Sequence, residues 1–179
     1  MVSESAKDDT ARVVGFNPVA RSDARVLILG TAPSVLSLRQ HQYYGNPRNA
    51  FWRIMARLLS RPENEDYETR TRMVLEARIA LWDVLASAER PGSLDADINM
   101  ATAEPNGFAA FFSDHQEVRA VFFNGGPAHK LWKRHVAQDV ELPKGTSLVI
   151  LPSTSPANAT LTLEKKIAAW RQVVEAASR

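Results

Sequence analysis

Four short apolar runs frame the chain. Val26-Leu27-Ile28-Leu29 ends at Gly30, and Ile79-Ala80-Leu81-Trp82-Asp83-Val84 forms the second run. Val121-Phe122-Phe123 lies within Arg119 to Phe123, and Ser147-Leu148-Val149-Ile150-Leu151 is the last. Each run is continuous rather than alternating, which predicts strands buried on both faces. Between them the period becomes helical. Phe51, Ile54, Met55, Leu58 and Leu59 predict a helix from Ala50 to Leu59. A second is expected from Asn64 to Arg78, with Asn64 as cap and Met73, Val74 and Ala77 facing inward. Phe108 to His115, Ala128 to Val136 and Leu163 to Ala177 complete the helical set. Residues 93 to 105 read as polar and irregular. The alternation predicts an α/β fold, with helices on both faces of a mostly parallel four-stranded sheet. Residues 1 to 12 read as a loose polar tail, and nothing divides residues 13 to 179.

One stretch does not fit this economy. After Gly30 come about twenty residues of loop-like sequence, TAPSVLSLRQHQYYGNPRN, before the Ala50 helix. A loop that long inside a compact domain generally has a function. It leaves the carboxyl end of a strand, where ligands bind in open α/β sheets. A second unusual loop, Pro152-Ser153-Thr154-Ser155-Pro156-Ala157-Asn158-Ala159, leaves the fourth strand on the same edge. The two loops are therefore expected to share one cleft.

Composition narrows the chemistry. There are no cysteines, which removes disulfides, thiolate zinc sites and iron–sulfur clusters. His41, His115, His129 and His135 lack metal-ligand spacing with carboxylates, so no metal is expected. Neither GxGxxG nor GxxxxGK[ST] occurs, and no dinucleotide or P-loop cofactor is implied. Ser153 and Ser155 lack the elbow of a serine hydrolase. No apolar run approaches the ~18 to 20 residues of a membrane helix, and Met1 to Arg12 has no apolar centre. The reading is a cytoplasmic monomer without membrane contact. Its net charge of +2 is small, but basic side chains concentrated on one face can meet an anionic partner. Arg39, Arg48 and Lys130 are candidates to surround the cleft.

What remains in the loops is amides, hydroxyls and flat rings. Tyr43, Tyr44, Asn46, Arg48 and Asn49 suit a planar heterocycle that is stacked upon and read at its edge. Ser153, Thr154 and Ser155 suit phosphate. Core packing competes with these roles for Tyr44, as helix capping does for Asn49. Asp83, at a strand end, reads as a capping or turn residue before a catalytic one.

GTAPSVLSLRQHQYYGNPRNAFW together with LPSTSPANA resembles the hypoxanthine-DNA glycosylases, a branch of the uracil-DNA glycosylase superfamily. The likeness extends to IALWDVLASAERPGSLDADI and VFFNGGPAHKLW and so spans residues 15 to 175. It implies a three-layer αβα sandwich and a monofunctional enzyme that removes deaminated bases, chiefly hypoxanthine, from double-stranded DNA. By the resemblance, Asn49 places the attacking water and Tyr44 stacks on the extruded base. Thr31, Ala32 and Asn46 line the base, while Arg48, Ser153, Thr154, Ser155 and Asn158 meet DNA. Ala32 stands where relatives often carry Asp or Asn, and Leu151 where several carry His or Asn. Asn46 and Asn158 stand where histidines are expected. Deoxyinosine is expected to be a better substrate than uracil paired with adenine. Three other readings stay open on sequence alone: a uracil- or mismatch-directed glycosylase, a small-molecule nucleotide enzyme, and a lesion-binding module.

Overall fold

The computed structural model of the protein describes residues 12–179. In chain order its elements are β1 (Arg12–Val14), β2 (Val26–Gly30), α1 (Val35–Gln40), α2 (Phe51–Leu58), α3 (Tyr67–Glu76), β3 (Ile79–Asp83) and β4 (Leu85–Glu89). A 3-10 turn at Asp95–Asp97 follows, then β5 (Glu104–Pro105), α4 (Phe108–Asp114), β6 (Ala120–Asn124), α5 (Gly126–His135), β7 (Ser147–Leu151) and α6 (Leu163–Ser178). The tail expected over residues 1–11 lies outside the described residues. Arg12, assigned to that tail by sequence, instead opens β1.

The principal sheet has the order β3-β2-β6-β7, and all its pairings are parallel. Register puts Leu29, Trp82 and Phe123 in one row and hence on one face. Trp82 meets Phe108 and Phe111 of α4, and Phe123 meets Trp132 of α5. The opposite layer is α2, α3 and α6, with α2 packed on both of the others. β2 and β3 bury every residue, as their unbroken apolar sequences require. β3 is nevertheless last in the order. Its free edge is covered by the lead-in, where Val19 exchanges two 2.9 Å backbone hydrogen bonds with Leu81. Trp82 Nε1 donates to Phe16 O at 3.0 Å and holds the same segment.

Four features differ from the sequence reading. A second, antiparallel sheet of order β1-β4-β5 extends from the end of β3. α1 interrupts the long loop; Ser34 Oγ accepts from Ser37 N, and His41 ends it in the left-handed region at φ 52°. α3 starts at Tyr67 rather than Asn64, because the Asp66 carboxylate takes the Thr69 N–H at 2.7 Å and sets the cap there. α5 begins two residues earlier than expected, at Gly126, with Pro127 in the first turn, where its missing N–H costs nothing.

Candidate active site

The carboxyl ends of the four parallel strands are Gly30, Asp83, Asn124 and Leu151, and all four line one cavity of about 810 Å³. Its walls are the two long loops together with the segment around Asp95. The loops are tied to each other and to the sheet. Ala50 N donates to Thr154 O at 3.0 Å. Asn124 grips Thr154 twice, donating from Nδ2 to Oγ1 at 2.8 Å and accepting from N at 2.9 Å. Trp170 of α6 donates its indole N–H to Pro152 O at 2.9 Å. Buried Lys166 donates to Asn158 O at 2.7 Å, and desolvation lowers its pKa from the ordinary lysine value. The second loop is thus a braced structure rather than a free one.

The first loop is braced through its tyrosines. Tyr43 is buried, gives its hydroxyl to Asn17 O at 2.9 Å, and receives Trp52 Nε1 on its carbonyl at 2.9 Å. Tyr44 next to it is held at φ 53°, a conformation that costs a non-glycine residue roughly 1–2 kcal/mol. That backbone lays its ring on Phe51, with centroids 3.9 Å apart and planes inclined by 23°, while the ring also lines the cavity. Its hydroxyl is buried without a hydrogen-bond partner. Burial holds this phenol far above its ordinary pKa; Asp83 acts in the same direction, and the nearby Asn124 side chain opposes them.

Gly30 makes this arrangement possible. A Cβ there would stand 2.5 Å from Asp83 Oδ1 and 3.3 Å from Tyr44 Oη. Gly30→Ala should therefore force both side chains aside and lower stability by about 1–3 kcal/mol, as overpacked cores do. Chemical denaturation measures this; a wild-type midpoint and slope would show that the carboxyl has room to yield. Gly125 has a related role: at φ 97° it brings the α5 entry against Ser153, whose Cβ is 3.0 Å from where a side chain would begin.

Asp83 is 4% exposed, and its Oδ2 is buried without a partner. The charges around it are engaged elsewhere. Arg90, also buried, donates to Pro33 O, and Asp95 accepts the Thr31 hydroxyl at 2.5 Å. Burial pushes the Asp83 carboxyl up to about 7, Arg90 works against the rise and Asp95 adds to it. Burial also lowers the Arg90 guanidinium from its ordinary value, opposed by the charges of Asp95, Asp83 and Asp97. An unpaired buried carboxyl costs about 1–3 kcal/mol, a cost the fold carries at the floor of this cavity.

A family model described as the uracil DNA glycosylase superfamily matches residues 17–175. The chain belongs to that superfamily. A hypoxanthine DNA glycosylase of Methanosarcina acetivorans is 34% identical over 145 residues, covering 80% of this chain and 87% of the relative. One from Methanosarcina barkeri is 35% identical over 112 residues, covering 62% of this chain and 70% of that protein. The solution NMR structure of a Methanosarcina acetivorans protein, provisionally described as a uracil DNA glycosylase, superimposes with a TM-score of 0.78 at 30% identity. It covers 94% of this chain and the whole of its own. The α/β sandwich around a four-stranded parallel sheet is the fold of this superfamily.

In this superfamily member, all ten residues nominated from sequence line the same cavity: Thr31, Ala32, Tyr44, Asn46, Arg48, Asn49, Ser153, Thr154, Ser155 and Asn158. Their side chains are not equally free. Thr154 is 1% exposed and fully engaged with Asn124, so it holds the loop and is not placed to meet phosphate. Ser153 and Ser155 oxygens accept the loop N–H groups of Ser155 and Ala157, both at 3.2 Å. Asn46 Oδ1 accepts from Arg48 N, and Asn158 Oδ1 from the Thr160 hydroxyl. Asn49 Oδ1 accepts the Phe51 N–H at 2.9 Å, a cap-like bond, while its Nδ2 meets no acceptor among the described residues. Of the expected basic rim only Arg48 lines the cavity; Arg39 and Lys130 do not.

Sequence reasoning missed Asn124, Arg90 and Asp95, and for Asp83 put a capping or turn role ahead of a catalytic one. Asp83 ends a strand, caps no helix and is buried in the cavity floor. The two loops contain no carboxylate, but the cavity they line includes Asp83 and Asp95. The rule that found the loops, ligands at the carboxyl edge of a parallel sheet, also points to Asp83 and Asn124. Nothing in the polar stretch around Arg90 and Asp95 distinguishes them.

Proposed function

We propose that the protein is a monofunctional DNA glycosylase that hydrolyses the bond between deoxyribose C1′ and hypoxanthine in double-stranded DNA, leaving an abasic site. It acts as a monomer in the cytoplasm and uses neither metal nor cofactor. The observation that carries this reading is the convergence of Tyr44, Asn49 and the Ser153–Asn158 loop on one cavity. The hypoxanthine DNA glycosylases among its relatives support it.

A base inside a duplex must be turned out before its glycosidic bond can be reached, at a cost of a few kcal/mol. The Tyr44 ring, backed by Phe51, offers the extruded base a rigid stacking surface, worth about 1–3 kcal/mol. Phosphates are met by Arg48 and by hydroxyls and N–H groups of the second loop. No lysine is among the described residues that line the cavity, so water rather than an amine attacks the sugar. Its oxygen bonds to C1′ as the C1′–N9 pair leaves with the base, and proton transfer completes the abasic sugar and the free purine. The Phe51 N–H fixes the Asn49 carbonyl, whose second lone pair is left to orient that water.

The test is a labelled duplex with deoxyinosine opposite thymine, incubated with the protein and then treated with alkali. Strand scission at the inosine position is expected. Tight retention of the duplex without scission would mark a lesion-binding module, and neither result would point to small-molecule chemistry.

A further inference from the structure

We propose that the outer edge of β7 is a docking site for an extended acidic segment of a partner protein, which joins the four-stranded sheet as a further strand beside α5. The surface lies apart from the cavity, which β7 reaches only through Leu151.

The two outer strands of the principal sheet are finished differently. The lead-in covers β3 through the Val19–Leu81 pairing, whereas β7 has β6 on one side and no strand among the described residues on the other. Ser147 N donates to Arg119 O, and Leu151 O accepts from Gly125 N, both at 3.0 Å. In a parallel ladder the backbone groups of successive residues point to opposite edges, so Ser147, Val149 and Leu151 serve β6. Leu148 and Ile150 therefore present their N–H and C=O groups at the free edge. Their side chains are open too, at 43% and 51% exposure. Neither lysine, proline nor a bulge guards the strand, the devices that normally blunt such an edge. Unpaired backbone and uncovered apolar surface thus coincide at the same two residues.

Charge selects the occupant. Register pairs Phe123 with Ile150 and Val121 with Leu148, which puts both exposed side chains on the α5 face of the sheet. α5 packs on β6 and β7, exposes Lys130, Lys133 and Arg134, and contains no acidic residue. A second copy of this chain fits poorly, because two-fold pairing of β7 with itself sets two such basic helices on one face of the joined sheet. A duplex would meet the cations and leave Leu148 and Ile150 uncovered. A strand of valine and isoleucine flanked by Asp or Glu fits both features. Its backbone completes the ladder, its apolar side chains cover Leu148 and Ile150, and its carboxylates meet the α5 cations.

The experiment follows backbone amide exchange in the full chain on titration with a synthetic peptide of alternating valine and isoleucine between paired glutamates. One control peptide carries lysines in place of the glutamates; another is N-methylated on the amides that would face β7. The Leu148 and Ile150 amides should exchange fast in the free chain and slow by roughly 10-fold or more with the glutamate peptide. The lysine peptide should bind about 10-fold more weakly, and the N-methylated one should protect nothing. Ile150→Pro removes an outward N–H and leaves the β6 ladder whole, so it should weaken the glutamate peptide by about 10-fold or more. Lys133→Glu combined with Arg134→Glu should abolish the preference for glutamate over lysine. Equal binding of the two charged peptides, or protection that leaves Leu148 and Ile150 unaffected, overturns the proposal. So does slow exchange of those amides in the free chain, a dimer paired through β7, or displacement of the peptide by an undamaged duplex. If Ile150→Pro does not fold, the comparison of peptides on wild type still decides.

Discussion

Asn49→Ala should release hypoxanthine about 10²-fold more slowly than wild type in a single turnover, while duplex binding survives. The structure gives Asn49 two roles, and the variant separates them. Its Oδ1 accepts the Phe51 N–H and so stabilises the first turn of α2, a bond whose loss costs about 0.5–2 kcal/mol. In a domain of this size that lowers the melting temperature by roughly 2–4 °C per kcal/mol. A cap that did nothing else would leave the rate of those molecules that remain folded unchanged. Asn49→Asp sharpens the contrast: a carboxylate caps at least as well as an amide but brings charge to the place where water must be oriented. It should melt like wild type and remain slow. An Asn49→Ala variant that melts lower yet releases base at the wild-type rate would reduce Asn49 to a cap.

The second large effect is expected at Tyr44. Tyr44→Ala removes the ring that covers Phe51 and faces the cavity, and should weaken capture of the extruded base by roughly 10- to 100-fold, in keeping with about 1–3 kcal/mol per stacked base. Tyr44→Phe should retain nearly all of it, because the hydroxyl it discards is buried and unpaired. Single-turnover rates at rising enzyme concentration separate capture from chemistry. Equal loss in Tyr44→Phe and Tyr44→Ala would show that the phenol oxygen, and not the ring face, carries the effect.

The residues that these variants touch were legible because their signals are local. Strands β2, β3, β6 and β7 are continuous apolar runs and were legible as strands, but burial on both faces holds only for the first three; β7, at the sheet edge, buries Leu151 and leaves Leu148 and Ile150 exposed. The long segments on either side of the site stand out against them as loops at one sheet edge. The small sheet was not legible. β4 reads Leu-Ala-Ser-Ala-Glu, with no β-branched or aromatic residue, and its partners β1 and β5 are three and two residues long. Their pairing is a tertiary fact. α1 escaped notice because six residues are too few to establish a period.

The same division runs through the site. Asn49 and Tyr44 sit within an informative stretch, whereas Arg90 and Asp95 come from a segment that reads as an ordinary polar connection. Only the folded chain brings Asp95 against Thr31 and Arg90 beneath Pro33. Asp83 shows a different limit. Its position at a strand end was visible, but a buried carboxyl without a partner cannot be told from a capping one until burial is known.

The most direct measurement is to identify both products of one turnover on a deoxyinosine·thymine duplex. The account predicts free hypoxanthine and, in equal amount, an intact strand carrying an aldehydic abasic sugar. A strand broken at a phosphodiester with hypoxanthine still attached, or a duplex bound and recovered whole, would contradict it.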